Sequence, residues 1–259
     1  MNRLQDGTAW DASGPENAPA VVLIHGLGLD RQVTWDAITP ALARRYRVLR
    51  YDFPGHGESA PVAGLLDLSD LSAQVFAVMD AAGVDQAAMV GFSLGGMINR
   101  RCAMDHPDRV RALAILNSPH ERSSERQALV EEQARAADAG GPAATIDVAL
   151  ARWFTDGAQP NMVAWVRDTV LGCDPESYAA HRLVLAEGVK ELIRPAPPLQ
   201  HPTLVMTCEE DVGSTPEMSQ AIAAEIEGSE LQVLPELRHL GLVERPDLFA
   251  APLAAFLER

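Results

Sequence analysis

Ala87-Ala88-Met89-Val90-Gly91-Phe92-Ser93-Leu94-Gly95-Gly96-Met97-Ile98 is the stretch whose reading decides the fold. Ala87–Val90 is a short apolar run of the kind that forms a strand buried on both faces. Met97, Ile98 and Cys102 begin an apolar pattern at helical spacing. Between them stands G-x-S-x-G, which places a serine on a sharp strand-to-helix turn. Gly91 and Gly95 remove side chains where strand and helix approach, and Gly96 extends that freedom. The helix that follows aims its N-terminal N–H groups and the positive end of its dipole at whatever lies beside Ser93.

Outward from this turn the chain alternates. Ala20–Ile24, Arg47–Tyr51, Ala112–Leu116, Thr203–Thr207 and Leu231–Leu234 read as further strands, and Asp6-Gly7 suits a hairpin turn. Leu68, Leu71, Val75, Val78 and Met79 mark one face of a helix over 68–82. Strands alternating with helices predict an α/β fold with a mostly parallel, doubly wound sheet. The alternation stops once. Residues 118–199 show only helical stretches and close on Arg194-Pro195-Ala196-Pro197-Pro198, whose prolines end any helix. The expected organisation is a core of residues 1–117 and 200–259, with 118–199 inserted as a helical cap over the carboxyl ends of the strands, where such sheets bind ligands.

A serine hydroxyl needs a base, and the base needs an orienting carboxylate. Of seven histidines, His239 follows the strand 231–234 and precedes a helix starting near Pro246, which puts it at the same sheet edge as Ser93. Glu209-Glu210-Asp211 follows the strand 203–207 and supplies the carboxylate. Asp211 is the candidate in the chain order Ser93, Asp211, His239, with Glu209 and Glu210 as alternatives. Either residue singly would be an ordinary loop residue; their order at successive strand ends gives them meaning. Oxyanion donors are expected from the backbone N–H of Leu94, just after the serine, and of Leu27 in His25-Gly26-Leu27-Gly28. His25 and His56, beside turn glycines, read as braces rather than bases. His106, His120, His181 and His201 read as packed or surface residues.

His25-Gly26-Leu27-Gly28, Asp52-Phe53-Pro54-Gly55-His56-Gly57-Glu58-Ser59, Gly91-Phe92-Ser93-Leu94-Gly95-Gly96 and His106-Pro107-Asp108-Arg109-Val110 together resemble the α/β-hydrolase fold superfamily over nearly the whole chain. Within it, Val48–Asp52, Arg152-Trp153-Phe154-Thr155, Asp174–Ala179 and Val243–Asp247 look most like the 3-oxoadipate enol-lactonases. The resemblance implies cofactor-independent hydrolysis of a small ester or lactone through an acyl-serine intermediate. One departure stands out: Cys208 occupies a position where those enzymes usually carry glycine. A serine nucleophile also departs from the dehalogenases of this fold, which use aspartate.

The remaining composition narrows the field. Lys+Arg 21 against Asp+Glu 36 gives a net charge of −15, which disfavours nucleic-acid binding. Three scattered cysteines, Cys102, Cys173 and Cys208, indicate neither a disulfide framework nor a zinc site. No run reaches the roughly 18 apolar residues of a membrane span, and the N-terminus lacks an apolar signal core. The expectation is a cytoplasmic enzyme with a small-molecule partner and no cofactor, metal, nucleic acid or membrane. A C–C bond hydrolase, an acyltransferase and a ligand sensor could use the same residues. For the pocket, Arg31 and Arg152 are candidate partners of an anionic substrate, and Trp153 and Phe154 a candidate apolar wall. Arg100 and Arg101, two helical turns beyond Ser93, read as surface or packing residues.

Overall fold

All five residues of Ala20–Ile24 are buried and apolar, so this strand, β3, has apolar neighbours on both faces. In the computed structural model, which describes residues 1–259, it lies inside an eight-stranded sheet of order β1-β2-β4-β3-β5-β6-β7-β8. The parallel strands are β3, β4 (Arg47–Tyr51), β5 (Ala87–Phe92), β6 (Val110–Leu116), β7 (Thr203–Cys208) and β8 (Glu230–Leu234). β1 (Asn2–Arg3) and β2 (Ala9–Ser13) join antiparallel beside β4, with Asp6 and Gly7 in the turn between them. The chain therefore has the mostly parallel α/β sheet that the alternation of strands and helices predicts.

Short helices α1 (Arg31–Trp35) and α2 (Thr39–Leu42) link β3 to β4, and α3 (Leu68–Ala81) and α4 (Leu94–Asp105) flank β5. Asp67 caps α3 in a reciprocal capping box with Asp70. α9 (Pro216–Glu225) connects β7 to β8, and α10 (Gly241–Glu244) and α11 (Pro246–Leu257) close the chain. β3 pairs with β4 on one side and β5 on the other. The strand order reverses there, leaving a crevice at the carboxyl ends of β3 and β5.

Between β6 and β7 the chain makes four helices and no strand: α5 (Ser124–Gly140), α6 (Ile146–Trp153), α7 (Pro160–Leu171) and α8 (Pro175–Glu187). This insertion is seated on the turn after β4 through α8. The Asp174 N–H donates to the Gly55 carbonyl at 2.8 Å, and the Val62 N–H to Ser177 Oγ at 3.1 Å. The His181 ring stacks on Phe53 at 5.4 Å and meets the edge of His56 at 4.8 Å. Both histidines are fully buried. Nδ1 of His56 bonds the Pro54 carbonyl and Nδ1 of His181 the Ser177 carbonyl, while neither Nε2 has a partner.

Burial pushes the His56 pKa down to about 4. His181 falls to about 3, by burial first and then by proximity to His56. Both are neutral in the folded protein, whereas in the unfolded chain they titrate near 6.5. Below that pH the unfolded chain gains protons that the folded chain refuses, so stability is lost as pH falls from 6.5 toward 4 and 3. Urea unfolding between pH 6.5 and 4 should show this decline. In His181→Gln the slope should be shallower by about 1.4 kcal/mol per pH unit near pH 5, one proton's share; an unchanged slope would mean that His181 is not held neutral.

Candidate active site

β5 extends two residues past the apolar run, through Gly91 and Phe92, and α4 begins at Leu94, so Ser93 alone forms the turn. Its backbone has φ 56 and ψ −113, a region sparsely used by residues with a Cβ, at a cost of about 1–3 kcal/mol. The surroundings hold it there. The Ser93 N–H donates to the Leu116 carbonyl at 2.8 Å. A Cβ on Gly91 would lie 2.1 Å from the Gly95 carbonyl oxygen, and one on Gly95 2.2 Å from the Ile24 carbonyl oxygen. Only glycine lets α4 pack this closely against both strand ends.

His239 Nε2 accepts from the Ser93 hydroxyl at 3.2 Å, across 146 residues of chain. Its Nδ1–H donates to Asp211 Oδ2 at 2.6 Å. Asp211 is 2% exposed, and both of its oxygens are fully occupied. Oδ2 also accepts from Asn117 Nδ2 at 2.9 Å, and Oδ1 accepts the N–H groups of Gly213 and Ser214 at 2.8 and 2.9 Å. Burial alone would raise its pKa. The charge and hydrogen bond of His239, with the bonds from Asn117 and Ser214, outweigh burial and hold it below the ordinary carboxylate value. Glu209 and Glu210 are exposed and turned outward, toward the Glu236 N–H and Arg238 respectively. Cys208 is buried with its Sγ 3.9 Å from Asn117 Oδ1; Gly241 leaves room for that sulfur, since a Cβ there would lie 2.6 Å from it.

The loop after β3 lies directly beside the serine, an added Cβ on Gly26 falling 3.3 Å from Ser93 Cβ. His25 braces that loop as its surroundings suggest: Nδ1–H donates to the Gly26 carbonyl at 2.8 Å, and Nε2 accepts the Phe53 N–H at 3.0 Å. Leu27 and Leu94 both border the serine. As the first residue of α4, Leu94 has no intrahelical acceptor for its N–H.

A cavity of about 80 Å³ opens over Ser93 and His239. Trp153, at the end of α6, forms part of its wall, its ring 6.2 Å from that of His239. Phe154, expected beside it, is buried in the core and does not line the cavity. Arg31 also lies elsewhere. Its guanidinium pairs with Asp52, Asp11 and Glu58, and its backbone N–H donates to Asp52 Oδ1, so it braces the turns after β3 and β4 instead of facing a ligand. Arg152 does line the cavity, together with Arg122 and Arg182, which local sequence reading passes over. Arg100 is buried and holds the Gly96 and Pro119 carbonyls, a packing role. No three His, Cys, Asp or Glu side chains gather as a metal-binding group, and no helix is long and apolar enough to cross a membrane.

The insertion is stitched to the loop that carries His239. The Leu240 N–H donates to the Trp153 carbonyl at 2.9 Å, and Arg238 donates to the Phe154 carbonyl at 2.8 Å. Thr155 donates its N–H and hydroxyl to the Glu244 carboxylate at 3.0 and 2.7 Å.

Residues 21–251 match the profile of the Alpha/beta hydrolase family. Among curated proteins, 3-oxoadipate enol-lactonase 1 of Acinetobacter baylyi is 26% identical over 99% of this chain and 95% of its own length. Among solved structures, the enol-lactonase from Burkholderia xenovorans superposes with a TM-score of 0.88 at 30% identity, covering 97% of this chain and 96% of that one. A thermophilic esterase from Thermogutta terrifontis, solved with malate bound, superposes at 0.87 with 26% identity over 97% and 93% of the two chains.

The close approach of α4 makes a direct prediction. In Gly95→Ala the methyl must displace the Ile24 carbonyl, so chemical denaturation should show a loss of at least about 2 kcal/mol. Gly157→Ala, whose methyl would meet only Thr155 Oγ1 at 3.8 Å, should stay within about 0.5 kcal/mol of the parent.

Proposed function

Since the chain belongs to the alpha/beta hydrolase family, we propose that it hydrolyses a small carboxylic ester or lactone through an acyl-serine intermediate. One observation carries this reading: Ser93, His239 and Asp211 form a continuous hydrogen-bonded relay that opens on a cavity. Relatives named as enol-lactonase and esterase support the bond type.

Ser93 Oγ attacks the substrate carbonyl as its proton passes to His239 Nε2. The charge developing on the carbonyl oxygen is met by the N–H groups of Leu27 and Leu94 and by the dipole of α4. His239 then returns the proton to the departing alkoxide, which in a lactone stays tethered to the acyl group. Water attacks the acyl-serine, His239 takes its proton, and Ser93 recovers the hydrogen as the acid leaves. Asp211 keeps the Nδ1 proton in place and balances the imidazolium that forms at each step. The insertion acts as a cap, with Trp153 excluding water above the reacting carbonyl.

Ser93→Ala should remove nearly all turnover of p-nitrophenyl acetate, by a factor on the order of 10⁴ or more, with unchanged unfolding behaviour. Residual activity within tenfold of the parent would exclude Ser93 from the chemistry. Asp211→Asn should also fall steeply: with Oδ1 held by the Gly213 and Ser214 N–H groups, the amide turns an N–H toward His239 Nδ1, favours the wrong tautomer and leaves the imidazolium unbalanced. Glu209→Gln and Glu210→Gln, both outward-facing, should stay within about threefold. The reverse ranking in kcat would move the acid to a glutamate.

A further inference from the structure

The two edges of the sheet are built differently. At one, β1 is only two residues long. At the other, β8 presents Glu230-Leu231-Gln232-Val233-Leu234 and pairs on one side only, with β7. The Leu234 carbonyl accepts the Glu209 N–H at 2.9 Å, so the backbone polar groups of residue 234 face the β7 side. These groups alternate in direction along a strand. Those of Gln232 and Glu230 therefore face β7 as well, and those of Leu231 and Val233 point away from the sheet.

Edge strands are ordinarily blunted by charge, proline, a bulge or a covering element. β8 lacks these devices. Leu231–Leu234 carries no ionisable group and no proline, its register with β7 is unbroken, and the charge of Glu230 is met by Arg259. Leu231 and Val233, whose side chains share one face, are 36% and 41% exposed. In a chain of net charge −15, this edge is a locally neutral, apolar strip with its outer hydrogen-bonding groups open.

We propose that this edge pairs with β8 of a second copy of the chain, antiparallel about a two-fold axis through Gln232, so that two eight-stranded sheets join into one. The outward groups select the register. With Gln232 opposite the partner's Gln232, Leu231 stands opposite the partner's Val233 and Val233 opposite the partner's Leu231. Each of these two pairs exchanges both of its hydrogen bonds and brings aliphatic side chains together. Moving the axis to Val233 would set Leu231 opposite the partner's Pro235, which has no N–H to give. Moving it to Leu231 would set Val233 opposite the partner's Ser229, whose N–H is already committed to the Ile226 carbonyl. In the chosen register Glu230 meets the partner's Leu234, so no carboxylate faces another. The strands of the two copies run in opposite directions, and the two cavities over Ser93 open away from each other.

A ladder this short is small beside the roughly 1,200–2,000 Å² of a stable interface, so the dimer should be reversible. Sedimentation velocity from about 5 to 500 µM, in about 0.5 M NaCl to screen the repulsion of two acidic chains, should show monomer passing to dimer. Val233→Lys, which puts a charge on the apolar strip, should weaken the association by about tenfold or more. A second test does not depend on that variant folding, and it fixes the register. Facing residues of a non-hydrogen-bonded antiparallel pair stand about 4.5 Å apart at Cα, within reach of a disulfide. The three native thiols are buried. Gln232→Cys treated with diamide should therefore form a covalent dimer, and Val148→Cys, 59% exposed on α6, should form about tenfold less. Monomer throughout the concentration range overturns the proposal. So does a dimer that Val233→Lys leaves intact, or cross-linking of Val148→Cys as readily as Gln232→Cys.

Discussion

Between the Ile24 carbonyl at the end of β3 and Cα of Gly95 in the first turn of α4 there is no room for a methyl group. That contact fixes how close the helix comes to the sheet, and the geometry of the site follows from it. With α4 seated there and β5 continuing through Phe92, the chain must turn within one residue, which puts Ser93 in its strained backbone conformation. The same contact draws the loop after β3 alongside the serine, where His25 locks it through both ring nitrogens. The serine, its neighbouring N–H groups and the helix dipole thus converge because two glycines permit a backbone approach closed to any other residue.

Charge is handled in two ways in this acidic chain. Where Arg31 and Arg50 enter the β2–β4 edge, carboxylates from three separate segments surround them. These pairs replace hydration lost on burial and tie the loop after β3 to the turn after β4. Asp211 receives a different treatment, with four hydrogen-bond donors arranged around one carboxylate. Each of its lone pairs is assigned, so its orientation toward His239 is set by the fold and not by rotamer preference. Cys208 contributes to this arrangement by filling the space between Asn117 and Gly241, a fit that works because residue 241 is glycine.

Much of the fold is legible in the sequence because its strands are short, apolar and stopped by glycine or charge. β4 reads to the residue; β5 runs two residues longer than the apolar pattern because Gly91 and Phe92 still pair with β6. β2 is harder to see, being an edge strand with one polar face that takes its shape from antiparallel pairing with β4. Ser93, Asp211 and His239 are legible through their order at strand ends. Asn117 carries no such signal, since only the pairing of β6 with β7 brings it to Asp211. Arg31 shows the opposite problem. Its nearness in sequence to the loop after β3 suggests a ligand partner, but Asp11, Asp52 and Glu58 reach it through the sheet and the turn beyond β4. Arg122 and Arg182 stand 60 positions apart, and no local pattern reveals that a loop and α8 converge over the serine.

The stitching of the insertion to the His239 loop has a mechanical consequence. Trp153, Phe154 and Thr155 are bonded to Leu240, Arg238 and Glu244, on both sides of the histidine. The end of α6 is thus bonded directly to the loop that sets the distance from His239 to Ser93. The wall of the cavity and the loop that carries the base are thereby held as one piece, so the position of Trp153 over the serine and the reach of His239 to Ser93 are set together.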